Sequence, residues 1–175
     1  MADTNLGTFS PEDVIITITH PQFTHIISGY ADGTFVSIER GMEASTLYQG
    51  ADNSGGRVLH SNKSGTITLT LHQFSASNDV LSQLHLNDME ARDNTWLFNI
   101  TIQDGTGRSK FYARQCFIGN IPVTGFGNDI ETRDWVLQAV ELKQYIGGNG
   151  QLTPDTADAL TDLGGTFDPK WAPQQ

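Results

Sequence analysis

The stretch from Asn62 to Leu84, NKSGTITLTLHQFSASNDVLSQL, constrains the fold more than any other. From Gly65 to His72 it alternates strictly, with Thr66, Thr68, Thr70 and His72 on one side and Ile67, Leu69 and Leu71 on the other. A period of two carried by β-branched residues marks a half-buried strand. The period then changes. Ser77 is a candidate N-cap, Asn78 and Asp79 occupy the first turn, and Val80, Leu81 and Leu84 recur at helical spacing. A long strand with a threonine face therefore hands over to a short amphipathic helix, residues 77–88. The apolar sides of both must cover one core. The threonine face is left to meet water or another subunit.

The flanking chain reads as further β structure. Residues 1–11 form a polar arm ending in Ser10-Pro11, either disordered or docking. Val14 to Thr19 is a strand stopped by Pro21, and Thr24 to Ile27 pairs with it as a candidate hairpin. An Asp32-Gly33 turn precedes a strand over Thr34 to Arg40. Within 41–61, Glu43 to Gln49 and Arg57 to His60 are the arms of a long, polar hairpin, which either extends into solvent or adds to a neighbouring chain. Trp96 to Gln103 and Lys110 to Ile118 are strands joined across a glycine-rich tip. Thr132 to Ile146 fits helix or strand by pattern; its glycine borders and β surroundings favour strand. After Gly147 the composition shifts. A short helix follows Thr153-Pro154, and Trp171 lies in an extended tail.

Length and charge narrow the class. The 175 residues suit one domain with its own core. A net charge of −10 argues against nucleic-acid binding, since few cations are present to displace phosphate counterions. The single cysteine, Cys116, sits in an apolar run and reads as a small buried hydrophobe. No run approaches a membrane span and no secretory leader is visible, so a soluble chain made without one is expected.

Chemistry is sparse. His20, His25, His60, His72 and His85 show no metal-ligand spacing, and His20 and His25 read as exposed turn residues. The glycine-rich tips lack the lysine of a phosphate loop. Asp155, Asp158 and Asp162 share a helical face without an EF-hand loop, which reads as a solvated acidic stripe. No strained nucleophile turn supports a hydrolase. A glycan-binding β-sandwich would call for clustered aromatics, whereas Trp96, Trp135 and Trp171 are scattered. A binding or assembly protein is what remains.

Five stretches resemble the tail-tube proteins of bacteriophages with contractile tails: Ser10–Ile18, Ala31–Gly41, Asn62–Leu71, Ser77–Leu84 and Asn128–Ala139. They occur in the same order, across residues 10–146. The resemblance implies a mainly β fold of two packed, roughly orthogonal antiparallel sheets, of sandwich or barrel type, with one flanking helix. The tail-tube domain would span 1–146, and 147–175 would be a C-terminal extension. It also implies hexameric rings stacked into a conduit for DNA inside a contractile sheath, without enzymatic activity or cofactor. A tailocin or secretion-like machine would use much the same chain.

Implied partners are the chain itself, the sheath, a tape-measure protein, and baseplate and terminator proteins, with double-stranded DNA passing through unbound. The place is the phage virion, after assembly in the host cytoplasm. Joining sheet edges across subunits would remove the liability of open edges. Glu39, Thr66, Thr68, Thr70, Asp134 and Glu141 are then candidates for the wall of the bore. Glu43, Tyr48, Asp52, Asn53 and Arg57 are candidates for contact between rings. The arms before Val14 and after Gly147 are candidates for contact with the next ring or the sheath.

Overall fold

The computed structural model describes residues 6–173; the first five residues of the expected arm and the last two of the extension lie outside the described residues. Nine strands and two α-helices are present among them. The strands are β1 (Val14–His20), β2 (Phe23–Ile26), β3 (Val36–Arg40), β4 (Ser45–Gln49), β5 (Gly55–Leu59), β6 (Gly65–His72), β7 (Phe98–Asp104), β8 (Lys110–Asn120) and β9 (Thr132–Tyr145). The helices are α1 (Ser77–Ala91) and α2 (Pro154–Asp162). Seven strands form one sheet in the order β2-β1-β7-β8-β9-β6-β3, and β4-β5 form a separate ribbon. The chain is thus mainly β, with one large sheet, one small one, a flanking helix and a helical C-terminal segment. The ambiguous stretch from Thr132 is strand, as its glycine borders suggested.

The chain divides into two compact units. The larger comprises Ile16–Thr101 and Tyr112–Lys143. Its core follows from alternation: Ile67, Leu69 and Leu71 of β6, Ile16 and Ile18 of β1, and Leu137 of β9 are all essentially without solvent contact. Burying one such side chain is worth about 1.5–3 kcal/mol. α1 turns Leu81 and Leu84 inward, while Leu86 and Met89 remain exposed. Its first residue, Ser77, is not the N-cap; that position is Ala76, which has no side chain to cap the helix, and the Ser75 hydroxyl accepts from the Ser77 amide at 3.2 Å. The Ser77 hydroxyl is fully buried instead. It accepts from the Ser28 amide at 3.0 Å and meets His25 Nε2 at 2.8 Å, so a tertiary partner outcompetes the local one.

β8 contains a kink that its sequence does not announce. The inward positions step from Ala113 to Cys116, and Gln115 adopts φ 52°. The extra residue makes a β-bulge, with the Gln115 amide donating to Asn99 Oδ1 at 3.2 Å.

His20 departs from the expected exposed turn residue. It is buried at 5 % exposure, stacked on Phe23 and Trp96 with ring centroids 5.4 and 5.2 Å away. Nδ1 accepts from the Gln22 amide, which leaves Nε2 to donate to Thr95 O at 2.8 Å. Both ring nitrogens are satisfied by the neutral form.

Among the described residues, the smaller unit comprises 6–15, Ile102–Phe111 and 144–173. Gly105 N donates to Asp13 O at 2.9 Å, and Ser10 N donates to Thr106 Oγ1. Trp171 is not in a free extended tail. It ends a short 3-10 turn, Pro169–Trp171, its carbonyl accepting from Leu152 N at 3.1 Å, with the Arg108 guanidinium 4.9 Å from its ring.

Candidate assembly surfaces

Three neighbouring strands build a polar face. β6 pairs antiparallel with β3 on one side and β9 on the other, in the registers Glu39↔Thr66↔Gln138, Ser37↔Thr68↔Val136 and Thr70↔Asp134. Directly opposed residues share a face. Ile67, Leu69 and Leu71 take the buried side, so Thr66, Thr68 and Thr70 must point the other way. Glu39, the three threonines and Asp134 therefore lie together on one outward surface. Thr66 Oγ1 donates to Gln138 Oε1 at 3.1 Å, linking two of the rows. Hydroxyls and carboxylates dominate this surface.

Glu141 stands further along β9 and is not cation-free. Arg114 Nη1 lies 3.5 Å and Lys143 Nζ 3.8 Å from its carboxylate. Both cations are largely exposed, so the pairs contribute little to stability.

The ribbon β4-β5 holds the second group of candidates. Leu47 opposes Arg57 and Tyr48 opposes Gly56. At the tip, Asp52 Oδ1 accepts from the Ser54 hydroxyl at 2.6 Å and from its amide at 3.1 Å, and these bonds hold the carboxyl below its ordinary range. Asn53 occupies φ 64°, its side-chain oxygen accepting from Gln49 Nε2 at 2.7 Å. Glu43 is exposed in the segment leading into β4.

Only the tip of this hairpin matches the expected polarity. Leu47, Tyr48, Val58 and Leu59 are 78, 67, 48 and 67 % exposed, and the two faces of the ribbon each carry some of them. A two-stranded ribbon is marginal in water by itself. One with exposed apolar side chains on both faces is a surface to be covered.

A third surface escaped sequence reasoning. In the segment between β8 and β9, Ile121, Val123, Phe126 and Ile130 are exposed, as is Phe74 before α1. Arg133 Nη2 donates to Gly125 O at 3.2 Å and its Cζ lies 5.6 Å from the Phe126 ring, which pins the loop. The signal was there, four large apolar residues in a run without period, but a run of that kind reads equally as core.

Catalytic features are sparse. Burial pushes the Cys116 thiol up to about 12, far from a nucleophile's range. Among the described residues, no group of three His, Cys, Asp or Glu is placed to hold a metal, and no helix is long and apolar enough to cross a membrane.

Comparison with known proteins gives these surfaces a context. Residues 6–147 match the sequence profile of the Bacteriophage PhiTE tail tube protein family. The chain is 39 % identical over 167 residues to Structural protein ORF10 of Pseudomonas phage KPP10, covering 94 % of this chain and 96 % of that one. Its fold resembles the anti-feeding prophage tube-terminating cap, with a TM-score of 0.54 at 14 % identity, over 83 % of this chain and 99 % of the other. It also resembles the sheath/tube terminator of the PVC extracellular contractile injection system, with a TM-score of 0.53 at 15 % identity, over 79 % and 97 %. The chain thus falls in a class, the structural proteins of bacteriophages. Within it, the chain belongs to the bacteriophage tail tube family.

Proposed function

We propose that this chain forms hexameric rings that stack into the tail tube, a conduit through which double-stranded DNA leaves the virion, and that it has no enzymatic activity. The observation that carries this reading is the outward face of β3-β6-β9. A sheet whose polar side is lined by threonine hydroxyls and carboxylates, and whose outer strands β2 and β3 each have one border without a strand partner among the described residues, suits a wall completed by neighbours. Away from Glu141 and its two cations, such a wall gives phosphates no cations to bind, so a duplex slides past it. Glu39, Thr66, Thr68, Thr70 and Asp134 line the bore in this reading. Glu141, beside its two cations, marks that lining's least acidic stretch.

The ribbon residues Glu43, Tyr48, Asp52, Asn53 and Arg57 then contact the next ring, which would cover Leu47 and Val58. The tail-tube domain is residues 1–146, with 147–175 as an added segment. A contractile sheath surrounds the tube, a tape-measure protein fills it before DNA does, and baseplate and terminator proteins close its ends. The sheath, terminator and baseplate partners draw support from the similar structures, which are a tube-terminating cap, a sheath/tube terminator and a baseplate. A contractile machine without a genome would use the same surfaces, and packaged DNA in purified particles separates the two.

Negative-stain microscopy of the purified full chain at rising concentration, with and without a baseplate nucleator, tests the proposal. Hollow tubes with six-fold end views are expected. Monomers under every condition would overturn it.

A further inference from the structure

The segment after Gly147 lies outside the matched family profile, yet it is firmly built in. Ser109 Oγ donates to Gly147 O at 3.0 Å, and Arg108 N donates to Gly148 O at 3.1 Å. The Arg108 guanidinium donates to Gly150 O at 2.5 Å, and Asn149 Nδ2 donates to Asp104 Oδ2 at 2.7 Å. Ordering a chain end costs conformational entropy, so a segment tied down this thoroughly has a shape to present. The match to the KPP10 protein reaches 94 % of this chain, so most of the segment recurs there. The similar solved structures reach only 79–83 % of it.

Within the smaller unit, two surfaces are complementary. One is a cleft of about 470 Å³ with Tyr145, Phe167 and Trp171 in its walls and Arg108, Lys110 and Lys170 along it. Its two carboxylates are already engaged. Asp104 accepts from Thr106 and Asn149, and Asp168 accepts from the Lys170 amide at 2.9 Å. Among the described residues the ion pairs are Arg114–Glu141 and Lys143–Glu141, so none of the three cleft cations is neutralised by a carboxylate. In a chain with ten basic and twenty acidic residues, this is a local reversal of sign.

The other surface is α2. Asp155, Asp158 and Asp162 are exposed at i, i+3 and i+7, with no basic residue in the last turn. The helix ends at Leu163, whose side chain is 85 % exposed. An apolar residue flanked by carboxylates is the chemical complement of an aromatic cleft edged by cations.

We propose that α2 and Leu163 of one copy seat in the aromatic, cation-edged cleft of the next copy. The contact is heterologous: the helix of one molecule meets the cleft of another, and each molecule keeps one of each free for further neighbours. It rests on the reading that copies assemble, and it names a surface outside the matched profile that joins them. Copies that each carry a net charge of −10 repel, and this contact supplies a local attraction that salt weakens.

Charge reversal in the full chain tests the contact. Lys110→Glu with Lys170→Glu alters the cleft, and Asp158→Lys with Asp162→Lys alters the helix; all four residues are exposed, so the fold is spared. Each pair is expected to raise the concentration needed for assembly about tenfold, and the four changes together to restore it. Leu163→Arg gives an independent loss of similar size. The contact is refuted if either reversed pair assembles like the native chain, if the fourfold variant assembles as poorly as either pair, or if the variants fail only to bind sheath. Native chains that never assemble would instead refute the tube reading itself.

Discussion

The indole nitrogen of Trp135 donates to Asn78 Oδ1 at 2.9 Å, tying β9 to the first turn of α1. The same amide donates from Nδ2 to His72 O at 2.9 Å, so one side chain joins the end of β6, the helix and β9. Trp135 is only 4 % exposed, and water cannot replace the lost acceptor freely. Asn78→Ala is therefore expected to cost about 2 kcal/mol. The urea midpoint should fall while the slope of the transition stays unchanged.

Gly29 sits at φ +73°, and a Cβ there would lie 2.6 Å from Ser75 Cβ. Ser75 cannot withdraw without breaking its hydroxyl's bond to Ser28 O. Gly29→Ala should thus destabilise the chain by roughly 2 kcal/mol, combining backbone strain with the clash. Gly33, at φ +86° with open space around it, provides the control. Gly33→Ala should cost only the conformational part, about 1 kcal/mol.

Cys116 has no contact with solvent, and burial holds its thiol at about 12. At pH 8 the thiolate is scarce and unreachable. Labelling by a thiol reagent should follow the rate of opening of the fold and become immediate in denaturant. Fast labelling of the folded chain would show that the bulged stretch of β8 opens locally.

Asp104 feels opposing influences: burial raises its carboxyl, while bonds from Thr106, Asn149 and Gly107 lower it further, leaving it below its ordinary value. A depressed carboxyl contributes stability above the unfolded-state value and loses it as pH falls through the folded one. Acid should therefore loosen the β7-β8 tip and the Gly147–Gly150 segment, seen as faster amide exchange at Thr106 and Asn149. Asp104→Asn should remove that dependence.

What local pattern could reveal was the strands. Period-two alternation placed the two faces of β6 correctly, because half-burial writes itself directly into the order of residues, whereas β9 was read as strand from its glycine borders and its β surroundings. Side chains satisfied at long range were invisible. Ser77 looks like a cap until Ser28 and His25 claim its hydroxyl, and His20 looks exposed until Trp96, 76 positions away, stacks on it. The apolar character of the ribbon was concealed differently. Leu47 and Tyr48 are adjacent, as are Val58 and Leu59, so each arm puts one apolar residue on either face and no amphipathic period emerges. Nor does local pattern carry the strand order, which brings β1 beside β7.

The orientation of the β3-β6-β9 face can be decided by making it sticky. Thr66 and Thr68 are half-buried on that face and flanked by Glu39, Ser37, Gln138 and Val136, with room for a long side chain to extend outward. Thr66→Lys with Thr68→Lys should leave the fold intact, since neither hydroxyl belongs to the core. If the face lines a bore, six copies per ring would present twelve ammonium groups to anything inside. Tubes of the variant should then retain short duplex DNA at low salt, whereas native tubes should not. Affinity should fall with salt at a slope of about 0.9 per phosphate engaged. DNA held inside the tubes, protected from nuclease and absent from microscopy of their outer surface, is the expected result. Duplex coating the outside would place the threonine face on the exterior and transfer the lining role to another surface.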